Sequence, residues 1–160
     1  MDAGDAYRTG KFTRVPMMIG ATSADMGGKT GFMIAGARSV AATIADQGVP
    51  VYAYRFSYVA ESLGQPGAQH ASDIPFFFDT QAIKYGEKTT ARDNAMGKTI
   101  STYLVNFART GNPNGAGLTE WPRHSRANDE IVDFTDSGKA VAQKDPWGAE
   151  IDAAPGNGAP

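Results

Sequence analysis

Between Phe32 and Val59 a helical repeat runs through a glycine–proline break directly into an aromatic strand pattern, and few folds accommodate that order. Met33, Ala37, Val40, Ala41 and Ile44 recur at spacings of three and four, which predicts an amphipathic helix over Phe32 to Gln47. Gly48 ends it, with Pro50 just beyond. Val51 to Val59 is rich in aromatic and β-branched residues and reads as a strand. Ahead of the helix, Val15 to Gly20 (VPMMIG) is a short continuous apolar run, suited to a strand covered on both faces. Strand, helix and strand in this order form a βαβ unit, whose two strands are parallel with a right-handed crossover. The expected class is therefore α/β.

Along the second strand, Tyr52, Tyr54, Phe56 and Tyr58 share one face. Arg55 falls on the other, among Val51, Ala53 and Ser57, and a covered sheet would oblige it to find a carboxylate or carbonyl. A loop with Gly64, Pro66 and Gly67 follows, then His70, then the apolar run Ile74 to Phe78, which can pin that loop down. QAIKYGEKTTARD reads as a polar linker. Met96, Ile100, Tyr103, Leu104, Phe107 and Ala108 mark a second long helix ending at Gly111. Asn112-Pro113-Asn114-Gly115 is a turn, and Trp121-Pro122 lies in a loop with His124, read as a solvated residue. Glu130 to Phe134 and Lys139 to Ala142, separated by TDSG, predict a small hairpin. Residues 1–14 read as a polar lead-in, 1–9 and 154–160 as flexible ends including the tail GNGAP, and the chain as one domain. Two core strands, one hairpin and two long helices leave more apolar strand face than cover, as expected of an incomplete domain.

The chemistry open to such a chain is narrowed by what it contains. Fifteen basic and seventeen acidic residues give a net charge of −2, with no basic patch, so neither nucleic acid nor a membrane surface is an expected partner. The absence of cysteine excludes disulfides, thiolate metal sites and thiol catalysis, and two histidines leave little for a metal; no cofactor is expected. The start, MDAGDAYRTGKF, has no apolar signal-peptide core, and no run approaches the ~20 residues that span a bilayer, so a soluble chain is expected.

His70 is a candidate general base, because histidine titrates near neutrality and a loop hung from a rigid strand fixes its geometry. Asp25 lies in the loop after the first strand, so in a parallel arrangement both side chains emerge at the same end of the sheet. That is the geometry of a base and the carboxylate that orients it. No serine supplies the nucleophile elbow: none of Ser23, Ser39, Ser57, Ser62, Ser72, Ser101, Ser125 and Ser137 has glycine two residues away on both sides. SADMGGKT, Ser23 to Thr30, competes for the same loop as a near match to a phosphate-binding loop, with serine where the pattern has its first glycine.

VPMMIGATSAD, VYAYRFSYVAE, GAQHASDIPFFFDT, STYLVNFARTGNPNG, Trp121-Pro122 and DFTDSG, in that order from about Gly10 to Asp152, resemble the carboxyl-terminal part of the type B carboxylesterases, the family of the cholinesterases and para-nitrobenzyl esterases. The resemblance implies part of an α/β-hydrolase fold and hydrolysis of carboxylic esters through a serine acyl-enzyme. It implies that His70 is the catalytic histidine, that Asp25 stands at the triad acid, usually glutamate in the family, and that Asp73 occupies a structural acidic position after the histidine. The 45 residues from Asp25 to His70 are fewer than the family usually has, as though a helical segment were missing between Gly31 and Met33. The expected function is a carboxylic ester hydrolase acting on a small-molecule ester, with acid and base present and the serine either supplied from outside the chain or missing altogether. A second expectation, of a different class, is a non-catalytic esterase remnant that binds a partner or self-associates as a homo-oligomer through exposed apolar faces. A nucleotide-binding loop at Ser23 to Thr30 is a third.

Overall fold

The computed structural model describes residues 3–155. Among them, β1 (Met17–Thr22), β2 (Val51–Phe56), β3 (Glu130–Phe134) and β4 (Ala140–Lys144) form one mixed sheet in the order β1-β2-β3-β4. β1, β2 and β3 are parallel, and β4 returns antiparallel to β3. Helix α2 (Phe32–Asp46) makes the crossover between β1 and β2, as the periodicity predicts. The α/β class is therefore present, and the hairpin is an integral part of the sheet.

Strand ends differ from the sequence reading because hydrogen-bonding partners fix them. β1 starts at Met17, after the apolar run begins: Pro16 has no N–H, and the Met17 amide is the first to bond across, to the Pro50 carbonyl at 2.9 Å. β2 stops at Phe56, where its pairing with β3 ends at Phe134, and only the Ser57 amide still reaches the Phe134 carbonyl, at 2.9 Å. The hairpin register, Phe134 opposite Ala140 through Glu130 opposite Lys144, moves β4 one residue later and carries it two residues further than the sequence reading.

Two clusters pack on opposite faces of the sheet. On one, Ala41 and Ile44 of α2 meet Val51, Ala53 and Ile131. On the other, Tyr52, Phe56 and Tyr58 pack with Phe76 of α3 (Ile74–Phe77), with Met96, Ile100 and Tyr103 of α5 (Ala91–Thr110), and with Trp121. The apolar spacing of α5 therefore reports its buried face, and Gly111, left-handed at φ 74°, ends it. Trp121 sits at the junction, its Nε1–H donating to the Ala53 carbonyl at 3.0 Å.

Several expectations are corrected. The supposed polar linker contains α4 (Gln81–Tyr85) and a 3-10 turn at Gly86–Lys88. α5 begins earlier than its apolar stripe because Thr90 and Asp93 form a reciprocal capping box. The lead-in contains α1 (Ala3–Arg8), with the Tyr7 and Phe12 rings edge to face at 5.6 Å. The frayed tail GNGAP lies outside the described residues. His124 is buried, not solvated: its amide donates to the Val51 carbonyl at 2.8 Å and its Nδ1–H to the Glu130 carbonyl at 3.0 Å. Arg55 does find its carboxylate, donating to Asp145 Oδ2 at 3.1 Å with its guanidinium 4.1 Å from the Trp147 ring centre.

Candidate active site

The loops after β1 and β2 are stitched together just beyond the sheet. Ala24 and Gln69 form a parallel bridge, the Ala24 amide donating to the Ala68 carbonyl at 2.8 Å. The Ala68 amide in turn donates to the Ser23 hydroxyl at 3.0 Å. Gly67, at φ 83°, lets the second loop come this close, since a Cβ there would stand 3.0 Å from the Ala24 methyl. The consequence is that Asp25 and His70, one residue beyond the bridge on each side, face each other.

His70 Nδ1 lies 2.7 Å from Asp25 Oδ1. An ionised carboxylate only accepts, so Nδ1 carries the proton and donates it, leaving Nε2 with a lone pair directed away. Asp25 is 6% exposed, and that burial alone would raise its pKa. Donation from the Met26 amide at 2.8 Å, the Thr22 hydroxyl at 2.8 Å, His70, and the Thr22 amide at 3.2 Å outweighs it, and the carboxyl is held below its ordinary value. The acid is thus ionised while the imidazole is half exposed, with a side chain 48% accessible. Ala71, immediately after His70, adopts a left-handed φ of 62°, an unfavourable conformation for a residue with a Cβ.

The structure brings together the two residues singled out as acid and base, and it assigns no nucleophile among the described residues. None of their hydroxyls hydrogen bonds to Nε2 of His70. Ser23 is engaged with the Ala68 amide, and the Ser72 hydroxyl, two residues after His70, is buried without a partner. Asp73 accepts from the Tyr54 hydroxyl at 3.2 Å. Burial raises the Asp73 carboxyl above its ordinary value, with the nearby charge of Asp25 adding to the effect and the Tyr54 bond opposing it. Thr22 was missed as a site residue; its signal is a hydroxyl three residues before the carboxylate it caps.

The loop read as a possible phosphate cradle is closed on itself. A Cβ at Gly31 would stand 2.3 Å from the Gly27 carbonyl carbon, so the two glycines pack backbone to backbone just before α2. Lys29 is 2.6 Å from Glu150 of α6 (Gly148–Ala153) and lies over the Trp147 ring at 5.1 Å. Among the described residues no cluster of three or more His, Asp or Glu side chains is placed to hold a metal, and no helix is long and apolar enough to cross a membrane.

Comparison with known proteins finds relatives for part of the chain. Carboxylesterase 4A of Bos taurus is 37% identical over 83 residues, covering 49% of this chain and 15% of that protein. Carboxylesterase 5A of Canis lupus familiaris is 36% identical over 91 residues, covering 51% and 16%. The fatty acyl-CoA hydrolase precursor, medium chain, of Anas platyrhynchos is 36% identical over 84 residues, covering 49% and 15%. The matched part is thus only about a sixth of the length of these relatives. The profile of the carboxylesterase family matches residues 28–147, three quarters of the chain, and the chain belongs to that family.

Proposed function

We propose that this chain carries the acid and base of a carboxylic ester hydrolase, on part of an α/β-hydrolase sheet, with Asp25 orienting His70. The supporting observation is the 2.7 Å bond from His70 Nδ1–H to a buried carboxylate, with Nε2 left open to accept a proton. Paired with a serine hydroxyl from outside this sequence, His70 takes the serine proton as the oxygen attacks the ester carbonyl. It then returns the proton to the alcohol oxygen as the acyl–oxygen bond breaks. A second cycle with water as nucleophile releases the acid and restores the serine. Asp25 stabilises the imidazolium in both half-reactions. With no serine on Nε2, His70 activates water directly, which suffices only for esters with good leaving groups.

A second reading, a non-catalytic piece that self-associates, is favoured by one feature. Among the described residues β1 pairs on one side only, and the apolar side chains Ile74 and Phe78, 53% and 67% exposed, line a cavity of about 330 Å³ together with Met18 of β1. A serine-directed phosphonate together with sedimentation separates the readings. The proposed function predicts a chain that stays unlabelled at its eight serines yet hydrolyses a para-nitrophenyl ester. Stoichiometric labelling at one serine would instead place a nucleophile within the chain, and an inert dimer would favour the second reading.

A further inference from the structure

We propose that Tyr54 and Asp73 are positioning residues for the His70–Asp25 pair, Tyr54 acting as a strut from the strand that leads to the acid to the loop that carries the base. The inference rests on the hydrolase reading only for its functional meaning; its geometry stands independently.

Tyr54 lies directly opposite Gly20 in the parallel register of β1 and β2. Its ring occupies the space a side chain at Gly20 would fill: a Cβ there would stand 2.5 Å from Tyr54 Cγ and 2.6 Å from Cδ1. The ring is thus seated on β1, five residues before Asp25. Its far end reaches the other loop, where the hydroxyl donates to Asp73 Oδ2 at 3.2 Å, three residues after His70. Phe77 of α3 packs against the same ring at 5.2 Å between centroids, so the helix that follows His70 is held by both a polar and an apolar contact. The bridge at Ala24 and Gln69 ties the two loops together just before the catalytic pair, and Tyr54 ties the segment just after His70 to the sheet. A misplacement of about 1 Å between base and acid is enough to lower a rate about a hundredfold, so both fastenings matter.

The contact also has an electrostatic role. Asp73 and Tyr54 both lie close enough to Asp25 to sense its charge. Engaged by Tyr54, Asp73 stays on the strand side, and Asp25 is the single carboxylate on the imidazole.

The test reads the pair directly in the whole chain, by the ¹H and ¹⁵N resonances of the His70 imidazole. Wild type should show a hydrogen-bonded Nδ1–H proton resonance shifted downfield, absent in Asp25→Ala. Tyr54→Phe keeps the ring on Gly20 and removes only the hydroxyl; it should move that resonance upfield or broaden it, with an unchanged circular dichroism spectrum. Asp73→Asn retains an oxygen to accept from Tyr54 and should restore wild-type behaviour, whereas Asp73→Ala should reproduce Tyr54→Phe. A Tyr54→Phe resonance identical to wild type, or Asp73→Ala without effect on it, would overturn the proposal. Because the readout needs no turnover, failure of the strut and failure of the hydrolase reading are told apart.

Discussion

Replacing Asp25 by asparagine tests the local physics of the site most sharply. Each carboxylate oxygen accepts two hydrogen bonds: Oδ1 from the Met26 amide and His70 Nδ1–H at 2.8 and 2.7 Å, and Oδ2 from the Thr22 hydroxyl and amide at 2.8 and 3.2 Å. Asparagine offers one oxygen and one NH₂ group to these donors. With its oxygen in the place of Oδ1, the NH₂ opposes the Thr22 amide across 3.2 Å, and the Thr22 hydroxyl turns to accept. The reverse orientation opposes the Met26 amide across only 2.8 Å and forces His70 into the other tautomer. The first is less unfavourable, so Asp25→Asn should keep the Nδ1–H tautomer while losing the charge and one backbone bond. A hydrogen bond to a charged group contributes ~1.5–3 kcal/mol, so a loss of about 2 kcal/mol is expected, or about 4–8 °C in Tm for a chain of this size.

The sign of the pH dependence follows from the depressed pKa of Asp25. Its contribution is complete above the ordinary value of 3.8 and is lost as pH falls through the lower folded value. Asp73, whose folded pKa is raised, acts in the opposite sense, losing stability as pH rises from 3.8 toward its folded value. Burial, the main cause, is common to both proteins, while loss of the Asp25 charge relieves part of the Asp73 shift in the variant and narrows the gap at neutral pH without reversing its sign. Urea unfolding at about pH 7 and again below the ordinary carboxylate range should therefore show a gap that closes on acidification. A gap of the same size at both pH values would refute the reasoning.

Asp145→Ala leaves Arg55 buried against Trp147 without its carboxylate, and should cost ~3–5 kcal/mol in denaturant unfolding; a loss under about 1 kcal/mol would mean that solvent reaches the guanidinium. Two helix glycines should respond to alanine with opposite signs in thermal unfolding. A Cβ at Gly36 in α2 would meet only open space, and Gly36→Ala should gain ~0.5–1 kcal/mol. Gly97 in α5 would place its Cβ 2.2 Å from Gln81 Oε1, and overpacking should cost ~1–3 kcal/mol despite the better helix propensity. Equal shifts at both positions would contradict the packing of α4 on α5.

The parts of the fold that were legible in sequence are those whose period repeats several times. The stripe of α2, the Gly48–Pro50 break and the alternating aromatics of β2 define the βαβ unit, and its parallel topology is enough to put Asp25 and His70 at one end of the sheet. What escaped depends on distant partners or on segments too short to repeat. α4 is five residues long, and its buried residue is the polar Gln81, so it shows no apolar period. His124 is drawn in by its hydrogen bonds to the Val51 carbonyl at the start of β2 and to the Glu130 carbonyl, and nothing in the sequence near residue 124 signals the first of these. The strut from Tyr54 to Asp73 joins two segments through one hydroxyl, and the sequence showed only an aromatic on a strand face.

The central claim is that His70 acts as a base held by Asp25, and the most direct measurement is the rate of short-chain para-nitrophenyl ester hydrolysis by the purified chain beside His70→Ala. General-base catalysis contributes ~10²–10⁴-fold, so the wild-type chain should exceed the variant by at least about a hundredfold, with Asp25→Asn between them. Equal rates in wild type and His70→Ala, with both folded, would contradict a catalytic role for the pair in this chain.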